Sequence, residues 1–201
     1  MEIAETLRGE TSESLLLARM RTRRIVIQRL GRVRPQLLTG LRRPLRDLYG
    51  LTVSIAPTVR RLTPDAYSSS RDQYRADLLL RHVQENVADG EAVAAITEAD
   101  IYEPGYNFLF GLSYIGEGAS LVSTFRLDDD LPEAAEAMTL ASRVRKIAAH
   151  ELGHAIGLDH CRERGCVMRY SDHVAAVDRE SDRFGPICRK RLAAALSYTS
   201  A

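Results

Sequence analysis

Eleven consecutive residues, His150-Glu151-Leu152-Gly153-His154-Ala155-Ile156-Gly157-Leu158-Asp159-His160, restrict what this chain can fold into more than any other stretch. Histidines four residues apart on a helix lie about 40° apart around its axis, so His150 and His154 present two imidazoles to one point if the segment is helical. Glu151 falls about 60° from His154, able to reach a metal-activated water without ligating the metal, which is the place for a general base. Gly157 ends the helix, because a residue without a Cβ accepts the left-handed conformation that reverses the chain. His160 then returns as a third ligand. The opposite face carries Ala141, Val144, Ala148, Leu152, Ala155 and Ile156, an apolar stripe that needs a core to cover it. The pattern predicts one long helix over 138–157.

Three neutral imidazoles leave the fourth position of a tetrahedral zinc open, the arrangement of a catalytic rather than a structural site. Zinc lowers the pKa of water to about 7 and polarises a carbonyl, while Glu151 accepts the proton and passes it to a leaving amine. Peptide-bond hydrolysis is the reaction class this implies. Taken singly, helix histidines are ordinary surface or hydrogen-bonded groups. In a chain of this composition HExxH arises by chance in about one shuffled sequence in a hundred, and with the glycine and third histidine in place in roughly one in a hundred thousand.

The rest of the chain reads as scaffold. A strand over 24–30, centred on Ile25-Val26-Ile27, precedes a helical pattern opened by Pro35 and running through Leu37, Leu38, Leu41, Leu45 and Leu48 to Gly50. Pro44 is expected to kink or split that helix. A second strand over 51–56 stops before Pro57, and strand, helix, strand is the parallel crossover unit of an α/β fold. A helix over 71–87, a strand over 92–97 and a hairpin of two apolar runs, 107–114 and 119–125, follow. A short helix over 189–196 comes last. His82 reads as a surface or hydrogen-bonded histidine, and Asp128-Asp129-Asp130 as a solvated turn, lacking the alternation and glycine of a calcium loop.

With 201 residues the chain is long enough for one sizeable core, or for a domain with a small subdomain. Its net charge of +1, spread over both signs, calls for no nucleic acid, membrane or polyanionic partner. Residues 1–18 lack the basic start and apolar run of a secretory signal, and no run approaches the roughly 18 apolar residues of a membrane span. A cytoplasmic protein is expected, with 1–20 an N-terminal extension. The odd number of cysteines, clustered by the histidine motif, favours a reducing compartment and metal binding over a disulfide framework.

HExxHxxGxxH with Met168 eight residues after the third histidine is the metzincin pattern. More specifically, His160-Cys161, four residues, and Cys166-Val167-Met168 resemble the archaemetzincin family, whose pattern adds a closing CxxC. The resemblance implies a zincin-like α/β fold. A mixed, mostly parallel sheet and the long active-site helix beneath it make one subdomain over 21–157, and a small C-terminal subdomain spans 158–201. It implies catalytic zinc on His150, His154 and His160, Glu151 as base, and Met168 in a turn beneath the metal. It further implies a second, structural zinc on four cysteines, but here the closing motif reads Gly185-Pro186-Ile187-Cys188.

Only Cys161, Cys166 and Cys188 remain. They bind zinc if a fourth ligand joins, with His173, Asp178 and Asp182 nearby in sequence; otherwise they are buried small hydrophobes, or one pair a disulfide. Tyr170, two residues after Met168, stands where astacin-like and serralysin-like metzincins carry a tyrosine that stabilises the oxyanion; its alternative is a packing residue. By the same resemblance, the strand near 108–114 lines the cleft and binds an extended peptide or protein substrate as an added strand. The expected activity is that of a zinc metallopeptidase. A zinc-holding module that grips peptides without cutting them is the competing reading.

Overall fold

The computed structural model describes residues 22–127, 136–171 and 173–197. The readings of 1–20 as an extension and of Asp128-Asp129-Asp130 as a turn lie outside these residues.

Strand β1 (Arg24–Leu30) pairs in parallel with β2 (Thr52–Arg60) on one side and β5 (Glu91–Thr97) on the other. The parallel strand β8 (Ala119–Ser123) follows β5, and β7 (Gly111–Ser113) closes the sheet as an antiparallel edge, giving the order β2-β1-β5-β8-β7. Period-2 alternation then divides the strands between two cores. Ile25, Ile27, Ala92, Ala94 and Ile96 pack with α1 (Pro35–Tyr49) and the long α3 (Glu136–Ile156). Val93, Ala95, Ala119 and Leu121 pack with α2 (Ala76–Gln84) on the opposite face. The sheet is buried on both faces, which is why β5 and β8 read as near-continuous apolar runs.

Three local departures from the sequence reading have physical causes. Pro44 does not split α1, which runs unbroken from Pro35 to Tyr49. Leu37, Leu38, Leu41, Leu45 and Tyr49 bury one continuous face, and this packing holds the helix together across the N–H that Pro44 lacks. Strand β2 continues through Pro57 to Arg60, because it lies at the sheet edge, where a missing N–H costs least; the register of β1 against it shifts between Ile27 and Arg29. The first turn of the helix expected from residue 71 is instead strand β4 (Gln73–Arg75), part of a small second sheet ordered β3 (Tyr67–Ser68), β4, β6 (Ile101–Tyr102). Buried Gln73 holds it there by donating to Asp100 Oδ2 at 2.9 Å and to the Asn107 carbonyl at 2.9 Å.

Beyond α3 the chain makes α4 (Val174–Arg179), which the polar sequence concealed, and α5 (Pro186–Ser197). Both dock on the first core through Val177, Cys188 and Leu192. Buried Arg143 of α3 ties α4 down with a two-pronged bond to Asp178, 2.9 Å and 2.7 Å, while its Nη1 donates to the Leu127 carbonyl at 2.7 Å. No helix among the described residues is long and apolar enough to cross a membrane.

The hydrogen bonds from Arg143 hold the Asp178 carboxyl below its ordinary range. A depressed carboxylate stabilises the fold above its unfolded pKa and loses that contribution as pH falls through the folded value. Asp178→Asn should therefore melt lower by a few degrees at pH 7, equivalent to about 1 kcal/mol for a charged bond half open to solvent. The gap to the parent should close below about pH 4; thermal melts across pH 3 to 8 check this.

Candidate metal centre

Helix α3 carries His150 and His154 one turn apart, and the structure brings His160 back to them. Gly157 adopts φ 119° and ends the helix; its N–H donates to the carbonyls of Gly153 and His154, and the Leu158 N–H to Gly153. The turn of the β7–β8 hairpin covers the same end, with the Gly116 and Gly118 N–H groups donating to the His154 and Ala155 carbonyls at 2.9 Å each. Carbonyls left over by the helix are thereby satisfied.

The side-chain nitrogens of His150, His154 and His160 lie within 4.8 Å of one another. His150 Nδ1 bonds the Val167 carbonyl at 2.8 Å, and His154 Nδ1 the Leu158 carbonyl at 2.7 Å. Each bond makes Nδ1 the protonated nitrogen and leaves Nε2 as a lone-pair donor. The two Nε2 atoms stand 3.0 Å apart, against about 3.3 Å along the edge of a tetrahedron with zinc–nitrogen bonds of about 2.0 Å. Burial, reinforced by the neighbouring His154, pushes the His150 pKa well down; burial and His160 push His154 down to about 4. Burial also lowers His160. All three are neutral donors at pH 7, so the set fits zinc.

Glu151 is 8% exposed, and burial raises its carboxyl to about 7 against the opposing pull of a hydrogen bond from Ser113. Ser113 Oγ lies 2.8 Å from Glu151 Oε2 and 3.0 Å from its carbonyl. A Cβ on Gly111 would meet Glu151 Cγ at 2.6 Å and Oε1 at 2.7 Å, so the edge strand lies directly on the carboxylate. Neither residue was singled out in the sequence. The strand reading over 107–114 placed them in the cleft wall, but no spacing rule marks which side chain there touches Glu151.

Beneath the helix the turn at Val167-Met168 is locked by the Cys161 N–H donating to the Met168 carbonyl at 2.8 Å and the Val167 N–H to Arg183 at 2.7 Å. Fully buried Met168 lays its sulfur where a Cβ on Gly153 would be. Tyr170 stands edge-on to His160, ring centroids 5.4 Å apart, on the wall of a cleft bounded across from it by Phe110–Ser113 and floored by the histidines and Glu151.

The three cysteine sulfurs form a second cluster within 4.8 Å, buried and unbridged. Burial, followed by bonds to its two partners, pushes the Cys188 thiol well up, so a metal entering must displace protons. The acids and histidine next in sequence are engaged elsewhere: Asp178 with Arg143, Asp182 with Arg145 at 3.1 Å, and His173 Nε2 with Arg179 at 3.4 Å.

Residues 53–194 match the model of peptidase family M54. The archaemetzincin of Natronomonas pharaonis is 37% identical over 153 residues, covering 74% of this chain and 87% of that one. Among solved structures, archaemetzincin from Methanopyrus kandleri superposes with a TM-score of 0.74 at 31% identity, covering 87% of this chain and 96% of that one. A zinc-dependent peptidase from Methanocorpusculum labreanum gives 0.72 at 26%, covering 84% and 99%.

Alanine is a better helix former than glycine, yet Gly153→Ala should destabilise this protein, because the added methyl strikes a buried methionine. A loss of about 1–3 kcal/mol is expected, a drop of roughly 2–10 °C in Tm, accompanied by weaker zinc retention as the Val167 carbonyl leaves His150. Calorimetry and zinc analysis check both.

Proposed function

The chain belongs to peptidase family M54, the archaemetzincins, and is a zinc metallopeptidase; from that premise we propose that His150, His154 and His160 hold the catalytic zinc and that Glu151 is the general base. The observation that carries this reading is the convergence of three neutral imidazoles beside a buried carboxylate at the floor of one cleft. Zinc, when bound, supplies the Lewis acid that polarises the scissile carbonyl and acidifies water.

Ser113 holds Glu151 Oε2, leaving Oε1 to take the proton of the attacking water and return it to the departing amine. A carboxyl buried against the edge strand is a stronger base than one in water, and its fixed rotamer removes the cost of orienting it. Edge strand β7 would bind the substrate in extended form through its backbone, with cleft walls from Phe110, Ile147 and Val177 taking side chains. The place of Tyr170 on the cleft wall beside His160 supports its phenol as a donor to the oxyanion.

A second zinc on Cys161, Cys166 and Cys188 would tie the loop after His160 to α5 within the 158–201 subdomain, keeping Val167 and Met168 against α3. Three buried, unbridged thiols support a reducing compartment, the cytoplasm.

Glu151→Ala should keep its zinc and lose several orders of magnitude in kcat/KM. Ser113→Ala, which frees the base without removing it, should lose about tenfold, chiefly in kcat. Cleavage of a diverse peptide library, followed by mass spectrometry beside metal analysis, reads both. Undiminished cleavage by Glu151→Ala would overturn the assignment of the base.

A further inference from the structure

The cysteine trio lacks the fourth thiol of a closing CxxC, because residue 185 is glycine. What occupies the vacated space is a carboxylate. A Cβ built on Gly185 would clash with Glu163 Oε2, and would lie 3.0 Å from Glu163 Cδ and 3.3 Å from Cys166 Cβ. Glu163 therefore reaches back across the loop between Cys161 and Cys166 to the position from which a cysteine at 185 would project its sulfur. We infer that Glu163 is the fourth ligand of a zinc site made of three cysteines and one glutamate, replacing the thiolate that Gly185 cannot supply.

Three further observations support this. Glu163 Oε2 lies 3.8 Å from Cys161 Sγ. Sulfur and oxygen sharing one tetrahedral zinc, at bond lengths of about 2.3 Å and 2.0 Å, stand about 3.5 Å apart. The Glu163 N–H donates to Cys161 Sγ at 3.5 Å, which stabilises a thiolate and fixes the loop that carries both groups. The carboxylate is itself oriented by the Ile187 N–H, at 3.3 Å, one residue before Cys188. Glu163 does not yet stand within 4.8 Å of all three sulfurs, so closing on a metal requires its carboxylate to swing inward about the side-chain torsions of a half-buried glutamate. Charge also favours it: three thiolates and a carboxylate give zinc the same four negative charges as four thiolates, which a histidine or water would not.

A Cβ at 185 and the carboxylate in its present rotamer claim one volume, and because the clashing atom is the mobile end of Glu163, Gly185→Cys would turn the carboxylate aside. Glu163→Ala should thus weaken metal retention in the parent but not in the Gly185→Cys background, where a fourth thiolate has taken its place. That non-additivity distinguishes a ligand from a nearby surface acid.

The inference rests on the reading that the trio binds zinc, and one series of variants tests the two separately. Zinc per chain is measured in the parent, Cys161→Ser, Glu163→Ala, Gly185→Cys and Glu163→Ala/Gly185→Cys. Cobalt is then titrated against a chelator, with thiolate-to-cobalt charge-transfer absorption reporting the cysteine site alone. Two zincs in the parent and one in Cys161→Ser are expected. Glu163→Ala should release cobalt to chelator at least about tenfold more readily, with altered d–d bands. The double variant should recover retention and show stronger charge-transfer absorption. Glu163→Ala indistinguishable from the parent, while Cys161→Ser loses one zinc, would overturn Glu163 and leave the site standing. One zinc in both parent and Cys161→Ser would remove the cysteine site, and Glu163 with it.

Discussion

The approach of Met168 to the backbone of α3 at Gly153 is the constraint on which the metal centre depends. A sulfur seated where a Cβ would be lets the Val167-Met168 turn lie flush against the helix. From there the Val167 carbonyl reaches His150 Nδ1, and the Met168 carbonyl receives the N–H of Cys161, the residue after His160. One close contact thus orients His150 and anchors the loop that returns His160. The remaining histidine, His154, is oriented by its own helix end through Leu158.

A second close approach governs Glu151. Gly111 brings the edge strand down onto Glu151, and Ser113 two residues on takes one of its oxygens. Because alternate residues of a strand face the same way, a glycine and a serine separated by one position make a clearance and a clamp from three residues of chain. The same hairpin caps α3 through Gly116 and Gly118. The strand that walls the cleft is therefore tied to α3 at both Glu151 and the C-terminus.

The C-terminal elements hold this arrangement from outside. Arg143 and Asp178 fasten α4, Tyr49 donates to the Ala149 carbonyl and stacks edge-on against Phe184, and the cysteine cluster joins Cys161 and Cys166 of one loop to Cys188 of α5. Glu163, from the loop between the first two cysteines, lies beside Gly185 and within 3.8 Å of the Cys161 sulfur.

How much was legible in the chain differs by the range of the interaction. The α/β class, the strand over 24–30, the long helix and the set His150, Glu151, His154 and His160 followed from spacing, because helical period and a glycine turn are local properties that eleven residues carry among themselves. Family resemblance added Met168 and the cysteines. Strand β4 was read as helix, and α4 was not read at all, because their conformations are set by partners distant in sequence: Asp100 and Asn107 for one, Arg143 for the other. Glu163 was passed over for His173, Asp178 and Asp182, although it lies between two of the cysteines. Proximity along the chain could not show that those three were already bound to arginines, nor that a glycine 22 residues on had vacated a volume for it. By itself the sequence determined which atoms could hold a metal. Which carboxylate is clamped, by which strand, and which acid fills a missing cysteine's place were decided by the tertiary structure, because close packing brings together surfaces that no local periodicity encodes.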